Sequence, residues 1–336
     1  MESAGVAVES LKRRFDYHGL SALVIRPDLR RASALCGATP ITRYAPSPTG
    51  YLHLGHVVNA IYVWGLAGAL GGSVVLRVED HDRVRSRDEF ERAILEDLDW
   101  LGFLRTDTRR TRQGVDRQSE HDDVYALALD RLRARFHVYS CDCSRTDIGG
   151  ECYTGRCRDR RVPERPGTGL RLQLADGTEH FDDLLLGPQA QSPADQCGDL
   201  LVRDRHGQWT YQFAVTIDDL RQRITLVARG ADLLSSTGRQ LRLARMLVEA
   251  GASPRRPTPC YLHHPLIFGD DGLKLSKSTG SAGVRAMRQQ GLSPPEVIGE
   301  AAAAVGLIAR PRPVSAADVE SLFTGAFEDE EGLRTR

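Results

Sequence analysis

The chain has 336 residues, 41% of them hydrophobic and 27% charged, which suits about two globular domains with a sizeable core. Lys plus Arg and Asp plus Glu both number 45, so the formal net charge is zero, which argues against a uniformly basic nucleic-acid binder. The longest apolar run, residues 57–70, contains Asn59 and is too short to span a bilayer, so no membrane role is expected.

Residues 1–40 have mixed charge, weak periodicity and no signal-peptide pattern. A short element is expected at 20–25, and no function attaches to the segment. Ile41 to Ala45 reads as a strand, and Pro46, Pro48 and Gly50 force a turn after it. His53, Leu54, Gly55 and His56 then open the apolar segment 57–70, which reads as a buried helix. Strand, tight loop and helix N-terminus make a phosphate site, because free backbone N–H groups and the helix dipole favour an anion there. Gly55 lets a flat ring approach the backbone, and the histidines add donors for phosphate oxygens. The bland alternative is an ordinary turn with two surface histidines.

Ser73 to Asp80 alternates as a strand, with Val74, Leu76 and Val78 on one face and Arg77 and Glu79 on the other. Ser86 and Glu89 have capping-box spacing for a helix that runs through Phe90, Ile94, Leu98 and Leu101 and stops at Gly102. A further amphipathic helix spans about 120–136. This alternation predicts an α/β fold with a parallel sheet. Two arginine clusters, Arg105 to Arg117 and Arg156 to Arg165, are either RNA-phosphate contacts or solvated faces, offset by acidic residues Glu328 to Glu331.

Four of the seven cysteines, Cys141, Cys143, Cys152 and Cys157, fall within 17 residues, while Cys36, Cys197 and Cys260 are scattered. Without a secretion signal, such a cluster points to zinc before disulfides, and Gly149, Gly150 and Gly155 let a short loop fold around an ion. Short strands with an Asp176-Gly177 hairpin signal follow over 169–186, and Pro188 to Pro193 reads as a return linker. Strands are expected at 200–203, 209–215 and 224–229, a helix at 235–249 and a strand from Tyr261 toward Phe268. Helices at 283–290 and 295–307 close the chain.

Only three lysines occur, Lys12, Lys274 and Lys277; every other basic residue but histidine is arginine. Two of the three sit in one loop, Lys274-Leu275-Ser276-Lys277-Ser278, behind the turn residues Gly269 to Gly272. A compact, flexible ammonium suits a loop that clamps polyphosphate better than a planar guanidinium fork does.

His53-Leu54-Gly55-His56 and Lys274-Leu275-Ser276-Lys277-Ser278 resemble the paired signatures of class I aminoacyl-tRNA synthetases. The strings from Arg43 to Gly50, Leu76 to Arg83 and Val227 to Gly230 narrow the resemblance to the glutamyl branch, over about residues 41–310. The metal ligands implied by resemblance are Cys141, Cys143, Tyr153 and Cys157, the pattern of the glutamyl-Q tRNA(Asp) synthetases. Cys152, beside Tyr153, is the rival for the fourth position. Only 58 residues follow Ser278, too few for an anticodon-binding region of on the order of 100 residues, which again fits the glutamyl-Q branch.

The resemblance implies a Rossmann-like parallel sheet with an inserted zinc-bearing α+β subdomain and a short helical C-terminal region. The implied division is an extension, 1–40; two catalytic halves, 41–137 and 199–264, around a zinc-bearing insertion, 138–198; and a lysine-loop and helical region, 265–336. The implied reaction activates L-glutamate with ATP and Mg²⁺ and transfers it to queuosine in the anticodon of tRNA(Asp). His53, His56, Lys274 and Lys277 are its catalytic residues, and His53, Gly55, His56 and Lys277 bind ATP. Arg43, Tyr44, Ala45, Pro46, Ser47, Glu79, Tyr211 and Arg229 bind glutamate. One structural Zn²⁺ per chain, a monomer and a cytoplasmic location are expected. The alternatives are a compact glutamyl-tRNA synthetase charging tRNA(Glu) and a non-catalytic RNA-binding relative.

Overall fold

The computed structural model describes residues 26–37, 39–104, 114–150, 152–267 and 283–325. Ten strands occur among them: β1 (Ile41–Tyr44), β2 (Ser73–Val78), β3 (Asp116–Arg117), β4 (Val138–Cys141), β5 (Gly169–Leu172), β6 (Glu179–Asp183), β7 (Gly187–Gln191), β8 (Leu200–Arg203), β9 (Leu226–Gly230) and β10 (Cys260–His264).

β1, β2 and β3 pair in parallel, with Ile41 opposite Ser73 and Arg77 opposite Asp116. β9, β10 and β6 are also parallel neighbours, and β7 folds back antiparallel on β6. The two sheets meet where the Thr225 amide donates to the Ile41 carbonyl at 2.9 Å and the Ile41 amide donates to Thr225 Oγ1 at 3.0 Å. Parallel strands cannot be joined by tight turns, so helix Leu54–Ala69 carries the chain from β1 to β2 and helix Thr237–Glu249 from β9 to β10.

Helix Leu54–Ala69 is apolar almost all round and is buried accordingly. It touches β1, β2, β9 and helices Pro294–Ala304 and Ser321–Thr324. A separate antiparallel sheet, β4-β5-β8, packs its leucines with Tyr125, Leu129 and Leu132 of helix Asp122–Arg135 and with Phe213 and Ile217. No described helix is long and apolar enough to cross a membrane.

Several local expectations change. Residues 209–215 are not a strand: helix Tyr211–Arg221 begins there, and Phe213 to Asp218 are all buried, where a half-exposed strand would alternate. Trp209 stacks on Phe213 four residues on, which is helical spacing. Ser86 and Glu89 form no capping box. Helix Asp88–Leu101 starts after Arg87 with no side-chain cap, carries Asp88, Glu89 and Glu91 in its first turn, and Glu89 accepts from the Tyr51 hydroxyl. Asp176-Gly177 joins strands of two different sheets, so it makes no hairpin; the hairpin is β6–β7, and residues 188–191 belong to β7. Cys36 and Cys260, unrelated in sequence, form a disulfide with Cα atoms 5.5 Å apart, tying helix Leu29–Cys36 to the start of β10. The element at 20–25 lies outside the described residues.

Gly299 lets helix Pro294–Ala304 sit against the segment around Arg312, because an added Cβ would strike the Arg312 carbonyl oxygen. Gly299→Ala is therefore expected to destabilise the protein by about 1–3 kcal/mol, the usual cost of overpacking. Urea denaturation checks this, and an unchanged midpoint would contradict the packing.

Candidate active site

His53 ends the turn after β1 with extended backbone and caps helix Leu54–Ala69. Its Nδ1 accepts from the Gly55 amide at 3.1 Å, and the His56 Nδ1 accepts from the His53 amide at 3.1 Å. A backbone N–H can only donate, so both rings carry their proton on Nε2. The rings lie 3.9 Å apart between centroids. The helix terminus thus combines its dipole with two imidazole donors, which is suited to an anion.

The same cavity, about 620 Å³, is also lined by Arg43, Glu79, Tyr211 and Arg229. These come from β1, the residue after β2, the start of helix Tyr211–Arg221, and β9. Behind them Arg77 is fully buried. It donates to Asp219 at 2.8 Å, to Gln222 at 2.8 Å and to Glu79 Oε1 at 3.0 Å. Burial works to lower the Arg77 pKa, but Asp219, Glu79 and Asp218 outweigh it and the guanidinium is held above its ordinary value. Burial likewise pushes Asp219 up, and Arg43 and Arg77 more than reverse it.

Arg43 Nε donates to Asp219 at 3.2 Å and its Nη1 to the Ala228 carbonyl at 3.4 Å. Arg229 donates to His263 Nε2, Gln240 Oε1 and Thr237 Oγ1 at 3.1, 2.8 and 2.7 Å. Three of its five N–H bonds are so used, leaving one on each Nη. The wall therefore offers two fixed cations and one carboxylate.

A second cluster lies at the end of β4. The Sγ atoms of Cys141, Cys143 and Cys157 all lie within 4.8 Å of one another. Tetrahedral zinc with Zn–S near 2.3 Å needs sulfurs about 3.8 Å apart, so the three thiols fit a metal ion. The Tyr153 hydroxyl is in the same cluster, 3.5 Å from Cys141 Sγ, and accepts from the Cys157 amide at 2.7 Å. Cys152 is exposed and lies outside it. Burial and the Cys157 thiol push the Cys143 thiol up to about 12. Gly198 abuts Tyr153, where a Cβ would strike the Tyr153 carbonyl.

The sequence matches the family of class I tRNA synthetases (E and Q), catalytic domain, over residues 41–165 and 153–308. The chain belongs to this family. It is 37% identical over 321 residues to the glutamyl-Q tRNA(Asp) synthetase of Symbiobacterium thermophilum, covering 89% of this chain and 95% of that one. It is 37% identical over 293 residues to the glutamyl-Q tRNA(Asp) synthetase of Nitratidesulfovibrio vulgaris, covering 79% and 86%. The glutamate–tRNA synthetase of Elizabethkingia anophelis superposes with a TM-score of 0.65 at 25% identity, covering 84% of this chain and 65% of that one. A glutamate tRNA ligase of Elizabethkingia meningosepticum, solved in complex with its amino acid, gives 0.66 at 25% identity, with 84% and 64% covered. The chain thus spans slightly less than two thirds of those two structures.

This synthetase, a class I ligase using ATP, gathers most of its sequence-predicted residues in one place. Arg43, Ala45, His53, Gly55, His56, Glu79, Tyr211 and Arg229 line the cavity. Tyr44, Pro46 and Ser47 are not in its lining. Tyr44 is buried against Trp64 and donates to the His56 carbonyl at 3.2 Å, and the Pro46 carbonyl accepts from the Glu79 amide at 2.9 Å. Ser47 lies in the turn, its carbonyl accepting from Thr49. Lys274 and Lys277 lie outside the described residues. Sequence reasoning missed Asp219, Gln240, Thr237, His263 and His264. Two adjacent histidines in an apolar strand were the readable sign of the last pair.

Truncating Arg77 would strand Asp219 and Glu79 without their buried partner. Arg77→Ala is expected to cost about 3–5 kcal/mol, as for breaking a buried pair from one side. Guanidinium denaturation measures it, and a loss below about 1 kcal/mol, as at surface pairs, would remove Arg77 as the organiser of the site.

Proposed function

We propose that this synthetase condenses L-glutamate with ATP to glutamyl-adenylate and transfers the glutamyl group to a ring hydroxyl of queuosine in the anticodon of tRNA(Asp), with AMP as the leaving group. The observation that carries the reading is one cavity lined both by a helix N-terminus with two histidines and by two arginines and a carboxylate. Glutamate brings two carboxylates and one ammonium, a charge pattern complementary to Arg43, Arg229 and Glu79. Arg229 offers its remaining Nη hydrogens as a fork for a carboxylate. Glu79 has Oε1 occupied by Arg77 and Oε2 left for the ammonium.

The reaction itself asks for positioning more than covalent chemistry. A carboxylate oxygen of glutamate attacks the α-phosphorus, the bond to the β-phosphate bridge breaks, and pyrophosphate leaves with the electron pair. The Nε2–H groups of His53 and His56 meet phosphate oxygens at the helix terminus, and Gly55 lets the nucleotide approach the backbone. Lys277, with Lys274, neutralises the charge that develops on the leaving group. Mg²⁺ bound to the nucleotide would supply further charge neutralisation at its phosphates.

In the same reading, Cys141, Cys143, Cys157 and Tyr153 would hold one structural zinc, which would cross-link the loop between β4 and β5. The placement of the Tyr153 hydroxyl inside the cluster supports it over Cys152.

Two experiments test this. Enzyme, ATP and labelled glutamate are incubated with queuosine-bearing tRNA(Asp), its unmodified transcript and tRNA(Glu). Label is expected on the first alone; label on tRNA(Glu) that is lost after 3′-terminal oxidation of the RNA would instead make this a tRNA(Glu)-charging enzyme. For the metal, zinc content of the purified protein is compared with that of Tyr153→Phe and Cys152→Ser. Tyr153→Phe is expected to lower zinc retention against a chelator and Cys152→Ser to leave it unchanged; the reverse order would assign the fourth position to Cys152.

A further inference from the structure

The hairpin β6–β7 lies between β5 and β8 in sequence, yet it is hydrogen-bonded to β10 of the catalytic sheet. That attachment brings Asp183, the last residue of β6, beneath His263 of β10. Both side chains are fully buried. Asp183 Oδ2 accepts from His263 Nδ1 at 2.6 Å and from the His263 amide at 3.1 Å, while Oδ1 accepts from the Leu185 and Leu186 amides, each at 2.9 Å. Four donors converge on one carboxylate, and the chain supplies two of them from the turn that reverses β6 into β7.

On the far side of the ring, His263 Nε2 meets Arg229 Nε at 3.1 Å. A guanidinium N–H can only donate, so Nε2 must accept and the imidazole proton sits on Nδ1. The carboxylate below is what holds it there. Burial lowers the His263 pKa, the Asp183 bond opposes that, and the Arg229 charge adds to burial, so the ring is held below its ordinary value and remains neutral. Burial raises Asp183, and the bonds from His263, Leu186 and Leu185 more than reverse it. The three groups therefore form a directional chain, carboxylate to neutral imidazole to guanidinium, that ends at the cavity wall. Gln240 and Thr237 from helix Thr237–Glu249 hold the two Nη atoms, but only His263 holds Nε.

We infer that Asp183 and His263 are positioning residues for the amino-acid substrate: they fix the rotation of Arg229 so that its two remaining N–H bonds point as a fork at a substrate carboxylate. This rests on the proposed reading of Arg229 as a carboxylate ligand. An arginine free to turn about its side chain would still supply charge, but it would lose the paired geometry that gives a carboxylate two parallel bonds. The nucleotide end of the cavity, built on His53 and His56, does not depend on the chain.

The ring can be dissected by two amides. His263→Asn places a donor where Nδ1 was and keeps the bond to Asp183 while losing the acceptor for Arg229. His263→Gln reaches further, places its carbonyl where Nε2 was, and keeps the acceptor for Arg229 while losing the bond to Asp183. Amino-acid-dependent ATP–pyrophosphate exchange gives the KM for glutamate and for ATP separately, and thermal unfolding reports the fold. His263→Asn is expected to raise the KM for glutamate about tenfold, the loss of one bond to a charged group, with the KM for ATP within about twofold. His263→Gln is expected to stay closer to the parent in the KM for glutamate, even where its unfolding temperature falls further. A merely structural histidine predicts the opposite order, with Asn the milder change, or a parallel rise in both KM values; either outcome overturns the inference. Arg229→Ala separates the two levels. An unchanged KM for glutamate in that variant removes the carboxylate-ligand reading and the inference with it, whereas a raised value beside Asn and Gln variants that match the parent removes the inference alone.

Discussion

The site depends on one buried guanidinium. Arg77 belongs to β2, in the first half of the catalytic sheet, and its partners Asp219 and Gln222 belong to helix Tyr211–Arg221 and its C-terminal cap, in the second half. Its third bond goes to Glu79, two residues further on and just past the end of β2. A fully buried cation costs several kcal/mol in desolvation, so it persists only where carboxylates surround it. Those carboxylates are then held in turn: Asp219 is fixed where it can also take Arg43, and Glu79 is fixed with one oxygen toward the cavity. One interaction thus sets the mutual position of an anion and a cation that line the cavity.

Around that point each side is supported by a different device. The histidine side is local: residues 53–56 cap their own helix, and the pair of imidazoles comes from four consecutive residues. The arginine side is nonlocal. Arg43, Glu79, Tyr211 and Arg229 are spread over 187 positions of sequence; parallel strands bring Arg43, Glu79 and Arg229 to one edge of the sheet, and the start of helix Tyr211–Arg221 adds Tyr211. Such a side has no loop of its own, so its precision comes from buried polar contacts behind it. Helix Thr237–Glu249 provides two of these contacts to Arg229, and β10 provides the third.

The cysteine cluster follows a third pattern. Cys141 closes β4, Cys143 follows it at once, and Tyr153 is anchored by its amide to the Cys197 carbonyl at 3.0 Å. The groups of the cluster are thus tied to the β4-β5-β8 sheet at one end and to the segment entering β8 at the other. Tyr139 is buried with Cys141, Tyr153 and Cys157, and Ile148 and Val162 pack against them, so the loop carries a small apolar cluster of its own.

The amino-acid sequence by itself determined what short-range chemistry can determine. The helix from residue 54 was legible because a run of apolar side chains has to be buried. Its capped N-terminus, with two histidines, was legible because turn residues and histidines sit next to each other. The cysteine group was legible because its members are within 17 residues. Tertiary structure alone decided the rest. Residues 209–215 alternate well enough for a strand, but contacts with Tyr125 and helix Thr237–Glu249 bury Phe213, Ala214 and Val215 in succession, which a helix allows and a half-exposed strand does not. The hairpin at 179–191 carries no mark in its sequence of the sheet it joins, because the partner, β10, comes some 70 residues later. Cys36 and Cys260 are separated by 224 residues, and Asp183 and His263 by 80. A buried carboxylate, imidazole or thiol looks in sequence like any other; only the chain's return across the sheet brings its partner within bonding distance, and no local rule encodes that return.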